Sequence, residues 1–332
     1  MSRTTWPSRA SRSPSTQGTP VSGLSDSSPV PVTPSLLRDW RLPAPGADKY
    51  SRGSVLVVGG ARSTPGAALL AGVSALRAGA GKLTLAVAGS VAVQLGVAVP
   101  ECGAIAMPET SGGSVKAELD GISSYLDRAD TVLVGPGLDD PDLAAELLQA
   151  LLSREAGRGG DGTSGASDGS QGGPAVVLDA YALAALVHLE DQLDPWRGRL
   201  ILTPNPTEAA ILLGRDVADL ERDVAGISER FGAVVSCQGL VSKPTGPDAD
   251  GPGLWKITTG YGGLGTSGSG DVLAGAIAGL RARGTTCAQA ACWGTHLHAA
   301  AADRLASRMG PLGFLARELA DELPALMLEL SV

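Results

Sequence analysis

Short apolar runs closed by glycine or by a polar turn recur along this chain, and most are followed by a segment with apolar residues at helical spacing. Ser54-Val55-Leu56-Val57-Val58, closed by Gly59-Gly60, is the first of them. A strand buried on both faces of a parallel sheet reads this way. Pro65-Gly66 then opens a predicted helix over residues 67–78, with Leu69, Leu70, Val73 and Leu76 at helical spacing and Gly79 and Gly81 as stops. Residues 83–87 are the next strand, which completes a βαβ unit with glycines in its first turn.

The same alternation continues. Residues 130–134 predict a strand, 135–138 a tight turn, and 141–154 a helix with Asp140 as N-cap and Pro141 at its first position. Residues 175–179 form a strand that ends in the carboxylate of Asp179, and 181–189 continue as helix. The strand at 200–203 is broken by Pro204-Asn205-Pro206, after which Thr207 reads as an N-cap with Glu208 inside the first turn of a helix to Leu213. A helix over 217–231, a strand over 233–237, a short hairpin from 241–242 and 254–257, and helices near 272–283, 286–306 and 313–329 complete the pattern. Strands alternating with helices predict an α/β domain with a central, mostly parallel sheet flanked by helices on both faces. That domain is expected over residues 34–332. Residues 1–33, rich in Ser, Pro, Thr and Arg, predict a disordered tail, and the Gly/Ser/Asp-rich stretch 156–174 a flexible insertion.

Composition narrows the function classes. A net charge of −8 argues against the basic patch that a nucleic-acid partner needs. No apolar run reaches the ~18–20 residues of a membrane span, and the N-terminus lacks the apolar core of a secretory signal, so a cytoplasmic location is expected. Cys102, Cys237, Cys287 and Cys292 show neither a C-x-x-C pair nor metal spacing and read as reduced thiols.

The richest chemistry lies in Gly265-Thr266-Ser267-Gly268-Ser269-Gly270-Asp271, a glycine loop running straight into an apolar helix. The first N–H groups of a helix have no internal partner and carry the positive end of its dipole, so such a loop suits a phosphate. Asp271 would compete with that anion. It is either a helix cap or a base poised beside a phosphoryl group. Five predicted strand ends carry further unusual residues: the Gly59 turn, Gly135-Pro136-Gly137, Asp179, the Thr203–Glu208 segment and Cys237-Gln238-Gly239. In open α/β sheets ligands sit beyond the carboxyl ends of the strands. The Gly59-Gly60…Gly66 spacing does not match the dinucleotide fingerprint of Rossmann folds.

Taken in order, the blocks G-S-V-L-V-V-G-G, P-G-A-A-L-L-A, A-L-R-A-G-A-G-K-L-T, V-G-P-G-L, V-V-L-D-A-Y-A-L, I-L-T-P-N-P-T-E and G-S-G-D-V-L-A-G resemble the ADP-dependent NAD(P)H-hydrate dehydratases of the ribokinase-like superfamily, over about residues 46–325. Many members carry an N-terminal epimerase domain; with the first strand near Ser54, only the dehydratase unit is expected here. The resemblance implies ADP- or ATP-dependent dehydration of the S epimer of hydrated NADH or NADPH, through phosphorylation of the ring hydroxyl. It implies Asp271 as the base, with Ala67, Gly137, Asn205 and Asp271 on the hydrated dinucleotide. Gln238, Gly239, Leu240, Val241, Ser242, Gly268, Ser269 and Gly270 would contact the adenine nucleotide. Mg2+ is expected from phosphate chemistry, held through water by Glu208 or Asp179. The family's tendency to tetramers makes a homotetramer plausible.

Three positions depart from the family pattern. Its usual H-P-x-E is Asn205-Pro206-Thr207-Glu208, its usual Lys-Gly is Gln238-Gly239, and its usual D-A-D-A-L is Asp179-Ala180-Tyr181-Ala182-Leu183. Asn can replace a neutral His in hydrogen bonding, whereas Gln does not replace a Lys charge. Two alternatives stay open on the residues alone: a ribokinase-like small-molecule kinase, and a nucleotide-binding pseudo-enzyme. His296 and His298, two apart on a helix, do not make a metal pair. His298 and Asp303 read as structural, and Gly275 and Gly279 as contacts for close helix packing.

Overall fold

The computed structural model describes residues 28–44, 46–158, 173–246 and 251–331. The expected disorder of residues 1–27 and nearly all of the expected insertion fall outside them. In chain order the elements are β1 (Val30–Val32), α1 (Pro34–Asp39), β2 (Ser54–Val58), α2 (Pro65–Arg77), β3 (Lys82–Ala88), α3 (Ala92–Ala98), β4 (Cys102–Met107), α4 (Ser123–Leu126), β5 (Thr131–Val134) and α5 (Pro141–Arg158). They continue as β6 (Ala175–Leu178), α6 (Tyr181–Leu186), β7 (Leu200–Leu202), α7 (Pro206–Leu213), α8 (Leu220–Phe231), β8 (Val234–Cys237), β9 (Leu240–Ser242), β10 (Leu254–Ile257), α9 (Ser269–Ala282), α10 (Cys287–Met309) and α11 (Ala316–Ser331).

One sheet of ten strands runs in the order β1-β10-β9-β8-β7-β6-β5-β2-β3-β4, and β9 alone lies antiparallel to its neighbours. Side chains alternate across it, as the pleat requires. Val55 and Val57 of β2 enter one core, with α2, α9, α10 and α11; Leu56 and Val58 enter the other, with α5, α6, α7 and α8. The two-faced α/β expectation therefore holds. The chain leaves β2 toward β3 and β4, then returns to place β5 on the other side of β2. That reversal makes a crevice at the carboxyl ends of β2 and β5.

The structure corrects several boundaries. Val30-Pro31-Val32 is strand, not tail: it pairs with β10, Val32 is buried, and Thr33 caps α1. Helix α5 extends to Arg158, into the stretch expected to be flexible. Helix α7 is capped by Asn205 rather than Thr207, and α8 starts at Leu220 behind Asp219 rather than at residue 217.

Candidate active site

Two helices bring the sequence-distant loops together. α9 packs along α2 with no room for side chains at the contact: a Cβ on Gly275 would overlap the carbonyl of Ala71, and one on Gly279 that of Ala75. The Ser74 hydroxyl donates to the Val272 carbonyl across the same seam at 2.6 Å. The close-packing expectation for these two glycines is met. The seam sets the amino end of α9 beside that of α2, where a Cβ on Gly268 would strike Leu70.

Next to it, the two switch-point turns dock. The N–H of Gly60 donates to the Pro136 carbonyl and that of Ala61 to the Gly137 carbonyl, each at 2.8 Å. Gly137, at φ +75°, lies so close to Thr64, Gly60 and Ala67 that it has no room for a side chain. Ala67 and Gly137, expected on the same ligand, are thus neighbours. Gly135, at φ +128°, lies against the carbonyl of Asp179 and carries the contact one strand further.

Asp179, at the end of β6, is buried and accepts a hydrogen bond from the Thr203 hydroxyl at 2.9 Å. Burial pushes its pKa up to about 6, although the Thr203 hydroxyl and the Ala180 N–H act the other way. Ala180 is held at φ 51°, rare for a residue with a side chain. Asn205 and Glu208 form a reciprocal capping box at the start of α7: the Glu208 N–H donates to Asn205 Oδ1 at 3.0 Å, and the Asn205 N–H to Glu208 Oε2 at 2.9 Å. Burial raises Glu208 to about 7 against that backbone hydrogen bond, with the charge of Asp179 adding to the rise.

Asp271 lies in the first turn of α9, whose N-cap is Gly268 at φ 88° with no side-chain capping bond. It does not cap the helix. Burial pushes its carboxyl up to about 7, and the charges of Asp179 and Glu208 push the same way. Asp271 thus feels the charges of Asp179 and Glu208, and Glu208 that of Asp179, which brings the end of β6 and the first turns of α7 and α9 near one another. Ser269 is buried, while Gly270 is exposed.

The expected nucleotide segment divides. Gln238 (φ 49°) and Gly239 (φ 77°) form the two-residue turn between β8 and β9 at the carboxyl edge. Leu240, Val241 and Ser242 are buried as β9, paired on both sides and running away from that edge. Any contact that Leu240, Val241 and Ser242 make with a ligand is left to their side chains, because a central antiparallel strand offers its backbone to its neighbours. Sequence reasoning also missed the Thr203 hydroxyl as the partner of Asp179. Its signal was a polar residue closing an apolar strand.

The α/β fold is that of a ribokinase-like superfamily protein from Enterococcus faecalis, which superposes with a TM-score of 0.69 at 19% identity, covering 90% of this chain and 95% of that one. Residues 55–325 match the family model described as NAD(P)H-hydrate dehydratase. The chain is 39% identical over 300 residues to the ADP-dependent (S)-NAD(P)H-hydrate dehydratase of Xanthomonas campestris, covering 89% of this chain and 95% of that protein. It is 36% identical over 277 residues to the bifunctional NAD(P)H-hydrate repair enzyme of Moorella thermoacetica, covering 82% of this chain and 48% of that one. It thus spans about half the length of that bifunctional relative. The crystal structure of the ADP/ATP-dependent NAD(P)H-hydrate dehydratase from Bacillus subtilis, co-crystallized with ATP/Mg2+, superposes with a TM-score of 0.67 at 25% identity, covering 91% of this chain and 99% of that one. This chain belongs to the NAD(P)H-hydrate dehydratase family.

Proposed function

We propose that the protein restores NADH and NADPH from the S epimers of their hydrates, with ADP or ATP as phosphoryl donor. The observation that carries this is the position of Asp271: first turn of α9, directly after the glycine loop, not engaged in capping and titrating at about 7. A carboxylate tuned to that range takes a proton from an alcohol far better than an ordinary one. The hydrated ring carries such an alcohol. Hydroxide leaves a ring badly and phosphate leaves well, so phosphorylation converts a poor leaving group into a good one. Asp271 accepts the proton of the ring hydroxyl as its oxygen attacks the terminal phosphoryl group. The N–H groups of Gly268 and Gly270 stabilise the charge developing on that group, worth ~3–4 kcal/mol for a strong donor, while the Ser269 N–H donates to the Thr266 carbonyl at 3.2 Å and shapes the loop. Phosphate then departs, the ring loses a proton, and the double bond returns.

We assign Ala67, Gly137, Asn205 and Asp271 to the dinucleotide, and Gln238, Gly239, Leu240, Val241 and Ser242 with Gly268–Gly270 to the nucleotide. Magnesium fits the chemistry of the donors: Asp179, Glu208 and Asp271 are raised by burial, with neighbouring negative charge adding at Glu208 and Asp271, and a cation relieves both. Glu208 and Asp179 would hold the ion through water. Bound there, it would neutralise phosphate charge. Among the described residues no helix is long and apolar enough to cross a membrane. We assign the activity to the cytoplasm and to a homotetramer, which sedimentation tests. Incubation with hydrated NADH and either nucleotide, followed by the return of reduced-nicotinamide absorbance, tests the reaction. No recovery with either nucleotide would overturn it.

A further inference from the structure

The loop between β10 and α9, residues 258–268, must hold its N–H groups still for a phosphate, yet little of it is buried. Tyr261 is 88% exposed, and five of the eleven residues are glycine. A glycine-rich segment loses much conformational freedom on ordering. Apolar contacts hold its middle, with Leu264 against the core and Gly263 against Phe314, and α10 supplies polar anchors at both ends. At the entry, Asp303 accepts from the Thr259 hydroxyl, from the Gly260 N–H at 2.8 Å and from the Tyr261 N–H at 2.8 Å. Gly260, at φ +94°, rests directly on Ala299 of the same helix. At the exit, the buried His298 ring lies with Nε2 3.0 Å from the Ser269 carbonyl and 2.9 Å from its hydroxyl. A carbonyl only accepts, so Nε2 carries the proton. Burial holds His298 near a pKa of about 4, hence neutral. Burial alone would raise Asp303; its three loop donors outweigh that and hold it below the ordinary carboxylate value.

We infer that Asp303 and His298 are positioning residues, a two-point latch through which α10 sets the geometry of the phosphate loop and thereby nucleotide binding. Neither touches the reacting atoms. The latch rests on the nucleotide assignment above only for its kinetic consequence; the anchoring itself is testable without turnover.

The experiment compares wild type, Asp303→Asn and Glu322→Gln. The last removes ion pairs to Arg304 and Arg308 on the same helix and leaves the loop alone. Amide hydrogen exchange should accelerate about tenfold or more across residues 259–269 in Asp303→Asn and stay unchanged in Glu322→Gln, as expected when charge-assisted hydrogen bonds are lost. The KM for ADP or ATP should rise about tenfold, with the KM for hydrated NADH within about twofold. If Asp303→Asn does not fold, Thr259→Val removes one donor from the loop's own side and should move exchange the same way. Unchanged exchange in the loop, an equal rise in both KM values, or the same effect from Glu322→Gln would overturn the latch. A wild type that shows no turnover counts against the repair activity alone, because the exchange measurement still decides whether Asp303 pins the loop.

Discussion

Gly275 lies against the carbonyl of Ala71 with no space for a methyl group between α9 and α2. This contact fixes the depth at which α9 sits, and with it the position of Asp271 one turn earlier. Gly275→Ala should force the helices apart and cost about 1–3 kcal/mol, the usual range for overpacking. Gly226→Ala, on α8 where an added Cβ meets nothing, should instead stabilise by up to about 1 kcal/mol. Chemical denaturation of the two variants checks this. Similar effects from both would remove the seam as the determinant.

Asp271→Asn keeps the size of the side chain and loses its basicity. Turnover should fall by roughly two to four orders of magnitude, the range for loss of a general base. Nucleotide affinity should hold or tighten, because a negative charge beside the phosphates is gone. A steady-state assay with a parallel titration calorimetry run separates the two effects. A variant that keeps more than about a tenth of normal turnover contradicts the role.

The position of Asp271 was legible in the sequence because glycine loop, acid and apolar helix are contiguous. So were the strand ends, since continuous apolar runs mark buried parallel strands wherever neighbours cover both faces. Legibility failed at the edges. β4 (Cys102–Met107) is an edge strand of small residues whose side chains are mostly half-exposed, and it went unpredicted with α3 before it. β1 is only Val30-Pro31-Val32, hidden at the end of a Ser/Pro-rich stretch and defined by its partner β10. The cap of α7 was placed at Thr207, because the Pro204-Asn205-Pro206 run masked a capping box in which Asn205 and Glu208 each satisfy the other's backbone. The role of Asp303 depends on a contact across 43 residues to Gly260, which no local pattern carries.

The raised carboxylates give stability a definite pH dependence. Unfolded, Asp and Glu titrate near ~4. Folded, Asp179 titrates at about 6 and Glu208 and Asp271 at about 7. Between those limits the native state binds more protons than the unfolded one, so the contribution of these groups is full below ~4 and is lost as pH rises through about 7. The Tm advantage of Asp271→Asn over wild type should therefore be larger at pH 8 than at pH 5.5. Differential scanning calorimetry at both values is the check, and an advantage independent of pH would refute the coupling. The rate carries the opposite sign. Asp271 works as a carboxylate, so kcat/KM should climb with pH and level off above about 7.

Gln238 stands where the family pattern that the sequence resembles has lysine, on the two-residue turn between β8 and β9 that we propose for the nucleotide. Its φ of 49° is a conformation that strains long side chains such as Gln and Lys alike, so Gln238→Lys changes charge without changing that strain. A cation there would face the phosphates across a wet cleft, where one charge is worth ~1 kcal/mol or somewhat more. The Kd for ADP should drop by about three- to tenfold at low salt, and the gain should shrink at ~0.5 M salt as screening shortens. Gln238→Asn makes the comparison clean. Asn-Gly is the preferred pair for this turn type, so it should raise Tm while leaving ADP affinity unchanged. If the lysine variant binds ADP no better than the asparagine one, the phosphates do not lie beside this turn, and the nucleotide subsite has to be confined to the Gly268–Gly270 loop.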